Sequence, residues 1–252
     1  MTLRGDHRRF QASRGFAAIR RGIARAFVAI RRRFGGRVEK GRVGMLTGRT
    51  IEEFADLLAQ GTPTPGGGSA AALAGGLAAS LVRMVCDLTL GREKYRDAEE
   101  ELRGVRERAA GLGRDLLALV DRDAEAYGAV VAARRLPAGT PAEQSARARA
   151  LQNAVSFATE TPAATAEACA ALMALAIVTA RRGNRNAASD AGSAALLAYA
   201  GVRAAVLNIR VNLQGIDDPE RVARLRDRVR RLEVDAEKRR EEALTAVASR
   251  LE

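Results

Sequence analysis

One carboxylate stands out against an apolar background. Leu102, Val105, Ala109, Leu112, Leu116, Leu119, Asp123, Ala126, Val130 and Ala133 step by three and four without a break, the spacing of one helix face. Nine of these ten residues are apolar and Asp123 is the exception. A carboxylate on an inward stripe loses hydration, so its pKa rises unless partners compensate. A carboxyl that titrates near neutrality is what general acid–base chemistry requires. The same spacing also suits a carboxylate that bonds a neighbouring helix or pairs with an arginine.

A second candidate is the loop Pro65, Gly66, Gly67, Gly68 and Ser69, which opens an Ala/Gly-rich segment. Three glycines remove every Cβ from a turn that leads into a helix, so backbone N–H groups can approach an anion or a polar ligand edge with the favourable end of the helix dipole behind them. The loop lacks the Gly-Lys-Ser/Thr ending of a P-loop, and no strand precedes it. Packing is the other reading: Gly68, Ala72, Gly76 and Ser80 form a small-residue stripe that lets another helix come close. A third cluster places Asn184, Asn186, Ser189 and Asp190 in a loop and first helical turn. Asn208 and Asn212 follow, four apart on one face of an otherwise apolar helix. Buried amides need partners, either a neighbouring helix or a ligand rich in donors and acceptors. Ser189 also suits a helix N-cap.

Composition narrows the chemistry. The 252 residues include one histidine, His7, and two cysteines, Cys86 and Cys169. A Cys/His zinc site, a Ser-His or Cys-His nucleophile and a disulfide framework are therefore close to excluded. Lysine occurs only at positions 40, 94 and 238 among 42 basic side chains, which makes Lys94 the sole ammonium of the central region. Aromatics are 4% of the chain and hydrophobic residues 47%. A core built from Ala, Leu and Val suits close-packed helices better than sheets.

The elements that must position these residues read as helices almost throughout. Thr50 and Glu53 make a capping box for a short first helix, which Gly61, Pro63 and Pro65 stop. Helices are then expected from about Gly67 to Leu90, from near Asp97 to Arg135, and after Pro141, with Pro162 interrupting the chain before a helix that ends at Gly183. Ser189 is expected to cap the next, to about Leu213, and Asp218-Pro219 to start the last. Period-two alternation is nowhere sustained. The expected fold is all-α, a bundle of long packed helices.

The net charge of +12 lies in the N-terminal segment: residues 1–49 hold 14 Lys and Arg against 2 Asp and Glu, and the remainder balances. The basic pI therefore gives no reason to expect a nucleic-acid partner for the domain. Phe16, Ile19, Ile23, Phe27, Ile30 and Phe34 form an apolar stripe among arginines, a basic amphipathic pattern suited to an anionic membrane, RNA or targeting. Met45 reads equally well as a natural start, which would make the segment no part of the domain. Residues 1–48 are expected to be a basic amphipathic or disordered extension, and 49–252 the helical domain. After the extension, the apolar runs Ser69–Val82 and Ala168–Ala180 fall short of the about 20 residues a bilayer needs and read as buried helices. With no secretory signal visible, the expected location is the cytoplasm.

Several of these segments together resemble one known family. Pro65 to Ser69, Gly91-Arg92-Glu93-Lys94-Tyr95, the stretch Asp121 to Tyr127 with Arg134 to Pro137, and Gly183 to Asp190 continuing through Asn208 and Asn212 to Asp217-Asp218 are similar to the cyclodeaminase/cyclohydrolase family. This is the C-terminal domain of formiminotransferase-cyclodeaminase and its free-standing bacterial relatives. The resemblance covers about residues 50–245. Residues 1–44 have no counterpart in it, and Glu160-Thr161-Pro162-Ala163 stands where relatives carry larger apolar residues.

The resemblance implies an all-helical homodimer with a folate site near the subunit interface. Lacking a formiminotransferase domain, the chain resembles the free-standing type, a methenyltetrahydrofolate cyclohydrolase. It implies hydrolysis of 5,10-methenyltetrahydrofolate to 10-formyltetrahydrofolate without metal or cofactor. Asp123 would take the proton from water, Lys94 would exchange a proton where a guanidinium does not, and Asp190 and Asn208 would hold the pterin or orient Asp123. Pro65, Gly66, Gly67, Gly68, Ser69, Asn184, Asn186, Ser189 and Asn212 complete the expected substrate-binding set. A formimidoyltetrahydrofolate cyclodeaminase that releases ammonia, and a non-catalytic helical folate-binding protein, are the alternatives.

Overall fold

The structure, a computed structural model, describes residues 45–252. The amphipathic stripe from Phe16 to Phe34 and the expectations attached to residues 1–44 lie outside the described residues. Six α-helices follow in order: α1 Ile51–Ala59, α2 Gly67–Asp87, α3 Glu99–Arg134, α4 Pro141–Arg182, α5 Ala188–Leu213 and α6 Pro219–Leu251. Short 3₁₀ turns occupy Leu46–Gly48, Glu93–Ala98 and Arg185–Ala187, and no strand occurs among the described residues. The expected all-α bundle is what forms.

Local chemistry sets the helix starts. Thr50 accepts the Glu53 amide while Glu53 accepts the Thr50 amide, and Thr140 and Glu143 repeat this capping box before α4. Such a cap is worth about 1 kcal/mol. Asp218 accepts the Arg221 amide ahead of Pro219. Ser189 does not cap α5: it is exposed and lies inside the helix. The turn before α5 is closed by Asn184 instead, whose side chain accepts the Asn186 amide. An Asn two residues upstream of an unbonded amide can fold back on it, so the cap moved to the residue that starts the turn.

The second correction is Pro162, which does not interrupt the chain. It lies inside the 42-residue helix α4 and is buried there. Proline removes the N–H that would bond the carbonyl four residues earlier, here that of Ala158. Asn212 of α5 donates its side-chain Nδ2–H to the Ala158 carbonyl at 2.7 Å, and the Thr161 hydroxyl donates to the Phe157 carbonyl at 3.2 Å. The helix continues because another helix supplies the missing donor.

Helix α4 is buried almost continuously from Ala154 to Ala180 and packs on α2, α3, α5 and α6. Small residues permit this. A Cβ built on Gly75 of α2 or on Gly201 of α5 would stand 2.6 Å from the Cys169 Sγ of α4, so three helices meet around one thiol. Burial pushes that thiol up to about 12, which makes it packing rather than chemistry. The expected stripe also works between α2 and α3, where a Cβ on Gly76 would lie 3.0 Å from Leu117 and one on Gly113 3.0 Å from Ala79.

Membrane length needs a third correction. Gly67–Asp87, Pro141–Arg182 and Arg185–Leu213 are each long and apolar enough to cross a bilayer by length and composition. A charge such as Arg83 ends an apolar run in the sequence, but it lies inside a continuous helix that extends beyond it. The apolar window of α4 is 83% buried inside the fold, whereas those of α2 and α5 are 56% and 44% buried.

Candidate active site

Asp123 sits two-thirds of the way along α3, and the apolar residues of its stripe are buried except Leu112, which is partly so. The stripe aims the half-buried carboxyl at the N-terminus of α2. There the helix begins at Gly66 with no side-chain cap of its own, leaving first-turn amides without helical partners. The Ser69 amide and the Ser69 hydroxyl both bond the Asp123 carboxyl, the hydroxyl at 3.1 Å from Oδ2. Ser69 is fully buried.

This arrangement explains the glycines. A Cβ on Gly68 would lie 2.0 Å from Asp123 Oδ1 and 2.5 Å from its carboxyl carbon. The space that the loop opens is filled by the protein's own carboxylate. The open backbone cradle expected for an external anion is therefore, at Gly68, the seat of Asp123. Gly67 is exposed, and a Cβ there would lie 3.5 Å from the Asn208 Nδ2. Pro65 is buried, and a Cβ on Gly66 would lie 3.3 Å from the Pro63 carbonyl. Asn208 donates to the Ala204 carbonyl at 2.9 Å, which leaves its amide oxygen directed to no protein partner among the described residues. Asn212, one turn further, is occupied by Ala158.

Burial lifts the Asp123 pKa above the ordinary carboxylate value, and the Ser69 hydroxyl and amide pull it part of the way back. The carboxyl is thus a stronger base than a solvated aspartate. Two neighbours on α3 were not singled out from the sequence. The Asp121 carboxylate accepts the Leu46 amide and, at 2.8 Å, the Thr47 hydroxyl. It thereby ties Leu46 and Thr47 to the helix that carries Asp123. The Arg122 guanidinium lies 5.2 Å from the Phe157 ring centre. Both belong to the recognised Asp121–Tyr127 stretch, but nothing in their spacing distinguishes an anchor from a reacting group.

The remaining expected site residues lie at the other end. Asn184, 8% exposed, receives the Tyr95 hydroxyl at 3.4 Å, donates its amide to Thr89 Oγ1 at 2.8 Å and its side chain to the Leu88 carbonyl at 3.2 Å. Leu88 and Thr89 follow the C-terminus of α2. Lys94 is exposed beside Tyr95, Asn186 and Ser189 are exposed, and Asp190 is half-buried in the first turn of α5. Helix α2 has 21 residues, roughly 30 Å at the helical rise. Within one chain, Lys94, Asn184 and Asp190 are therefore about that far from Asp123.

A helical bundle that seats a half-buried carboxyl on a triglycine loop defines a class of protein, and the sequence comparison identifies it. The family model described as formiminotransferase-cyclodeaminase matches residues 50–231, and the chain belongs to that family. It is 47% identical over 174 residues to the methenyltetrahydrofolate cyclohydrolase of Methylorubrum extorquens, covering 69% of this chain and 84% of that one. It is 31% identical over 191 residues to the formimidoyltransferase-cyclodeaminase of Sus scrofa, covering 76% of this chain but only 35% of that longer protein. Among solved structures, the formiminotetrahydrofolate cyclodeaminase of Thermotoga maritima superposes with a TM-score of 0.72 at 26% identity, over 81% of this chain and 98% of that one.

Proposed function

We propose that this protein is a methenyltetrahydrofolate cyclohydrolase, converting 5,10-methenyltetrahydrofolate and water into 10-formyltetrahydrofolate with Asp123 as the base. The observation that carries the assignment is the Asp123 carboxyl seated at Gly68 and held by Ser69, in a chain 47% identical to a protein of that name. The methenyl bridge is a cationic carbon between N5 and N10, already electrophilic. Water adds to that carbon as Asp123 takes one of its protons, giving a neutral carbinolamine. The bond from carbon to N5 then breaks, Asp123 returns its proton to N5, and the carbinol proton leaves to solvent as the formyl group forms on N10. A base in this role contributes roughly 10²- to 10⁴-fold. Asn208 has its Nδ2 near Gly67 and bonded to the Ala204 carbonyl, and in this reading its amide oxygen accepts from a pterin N–H.

The reading includes a homodimer in the cytoplasm that binds folate and no nucleic acid. Its support is the outer surface of α2 and α5, where Leu77, Met84, Leu196, Leu207 and Val211 are exposed on helices whose apolar windows are only about half covered by their own chain. Lys94, at the far end of α2, enters this reading only as a contribution from one subunit to the site of the other. Sedimentation at micromolar concentration should give twice the chain mass of 26.8 kDa, and a monomer unchanged by folate counts against the dimer.

Likeness to the cyclodeaminase of Thermotoga maritima supports a second reading, closure of a formimino group with release of ammonia. Offering the purified protein methenyl- and 5-formiminotetrahydrofolate separately, with uncatalysed hydrolysis subtracted, decides between the two. Folate binding with turnover of neither overturns both.

A further inference from the structure

The Ser69 hydroxyl has one hydrogen and two acceptors within reach: the Val120 carbonyl at 2.9 Å and Asp123 Oδ2 at 3.1 Å. It cannot donate to both. Val120 lies inside α3, where a helix carbonyl already receives an amide hydrogen and has a second lone pair to spare. That acceptor is satisfied with or without Ser69. The Asp123 carboxyl is not, because its partners among the described residues all come from Ser69.

We propose that Ser69 is a positioning residue whose hydroxyl turns between Asp123 and the Val120 carbonyl in step with the protonation of Asp123. The inference rests on the reading of Asp123 as the base. With the carboxyl ionised, the hydroxyl donates to Oδ2. When Oδ2 takes a proton from water, its new O–H donates to the Ser69 oxygen and the Ser69 hydrogen swings to Val120. Returning the proton to the substrate nitrogen reverses the rotation. No heavy atom has to move, and the buried carboxyl keeps a hydrogen bond in both charge states. A base that must both accept and return a proton in one turnover gains from this, since neither state is left with an unsatisfied buried group. The Ser69 amide meanwhile fixes the position of the carboxyl, and Gly68 provides the space for it.

Two measurements on Ser69→Ala test this. Without the hydroxyl both charge states lose a bond, but the ionised carboxyl loses the stronger, charge-assisted one, so the Asp123 titration midpoint should rise by up to about one pH unit. It is read in the unliganded protein from ¹³C-labelled aspartate carboxyl shifts, with the Asp123 signal assigned by its absence in Asp123→Asn. The acid limb of the pH profile of kcat should rise by the same amount. Ser69→Cys, which fills the same space with a weaker donor, should shift both in the same direction by less and serves if the alanine variant melts too low to titrate. A carboxyl midpoint unmoved in folded protein overturns the proposal. A midpoint that moves while the kcat profile stays upholds the coupling of Ser69 to Asp123 and removes Asp123 as the base, so the two failures are distinct.

Discussion

The two ends of the α2 and α5 pair use polar residues in opposite ways. At the Leu88–Asn184 end, Asn184 makes bonds to Leu88, Thr89, Tyr95 and Asn186, so most of its donors and acceptors are used in fixing the turn between α4 and α5. At the Gly66–Asp123 end a carboxyl is half-buried with Ser69 alone to hold it, beside an Asn208 whose oxygen is uncommitted. Fully bonded polar groups hold a fold in one shape. Groups left partly bonded keep the capacity to meet a ligand, and they do so at a cost to stability. The difference separates the proposed reacting centre from the other end more sharply than residue type does, since both ends are rich in Gly, Asn, Ser and Asp.

The largest effect expected from breaking this contrast is at Asp123. Asp123→Asn keeps volume and hydrogen-bonding reach but accepts no proton, so kcat should fall about 10²-fold or more while folate affinity changes little. Stability should move the other way. Because burial raises the pKa of Asp123 in the folded state, the native protein binds its proton more tightly than the unfolded chain does. The ionised carboxyl therefore costs stability at pH values above its folded pKa, and the cost vanishes as pH falls below the unfolded value. Asp123→Asn should thus melt no lower than wild type at neutral pH, with any gain lost towards acid. A variant that melts much lower yet keeps near-normal turnover would make Asp123 a structural cap of α2.

Next in size is Gly68→Ala. Its Cβ would overlap Asp123 Oδ1, so the carboxyl has to move, and displacement of a reacting group by about 1 Å can cost 10²-fold. Gly67→Ala is the companion, because its Cβ meets only ordinary contact at 3.5 Å from Asn208. Its folding should be near normal and its turnover far less affected. Equal losses for the two would show that the loop, rather than the Asp123 seat, matters.

At the scaffold end, Asn184→Ala should cost about 1–2 kcal/mol, since it removes the part-buried side-chain bonds to Tyr95, the Leu88 carbonyl and the Asn186 amide while the backbone bond to Thr89 stays. The protein that remains folded should lose proportionally less turnover. A stable Asn184→Ala protein with impaired turnover would move Asn184 from scaffold to site.

These contrasts were only partly legible in the sequence. The helices were, because caps such as Thr50-Glu53 and Asp218-Pro219 act over three or four residues and the Leu102–Ala133 stripe keeps to one face for about nine helical turns. Asp123 was legible for the same reason, as the break in that stripe. Pro162 misled because its rule is local and its remedy is not: the donor that rescues the helix belongs to Asn212, 50 residues on, and bonds the Ala158 carbonyl. The same gap hid the purpose of Gly68. A glycine reports that space is needed and never by what, so an external anion and the Asp123 carboxyl predict the same letters. Lys94 and Asn184 were grouped with Asp123 by motif, whereas the length of α2 places them at its opposite end.

The smallest effect is expected from the segment with the greatest charge. Deleting residues 1–44 should leave turnover and oligomeric state unchanged, because the chain from residue 50 onward carries balanced charge and its first helix is closed by its own capping box. The residues that anchor the start of the domain, Leu46 and Thr47 on Asp121, remain after the deletion. Adhesion to anionic vesicles should disappear, since nearly all the net positive charge leaves with the segment and surface attraction of this kind scales with basic residues near the lipid. Turnover, sedimentation mass and vesicle co-sedimentation at low and physiological salt check this on the same preparations. If truncation lowers the melting temperature or the turnover, the apolar Phe/Ile stripe from Phe16 to Phe34 packs on the helical domain and contributes to its stability.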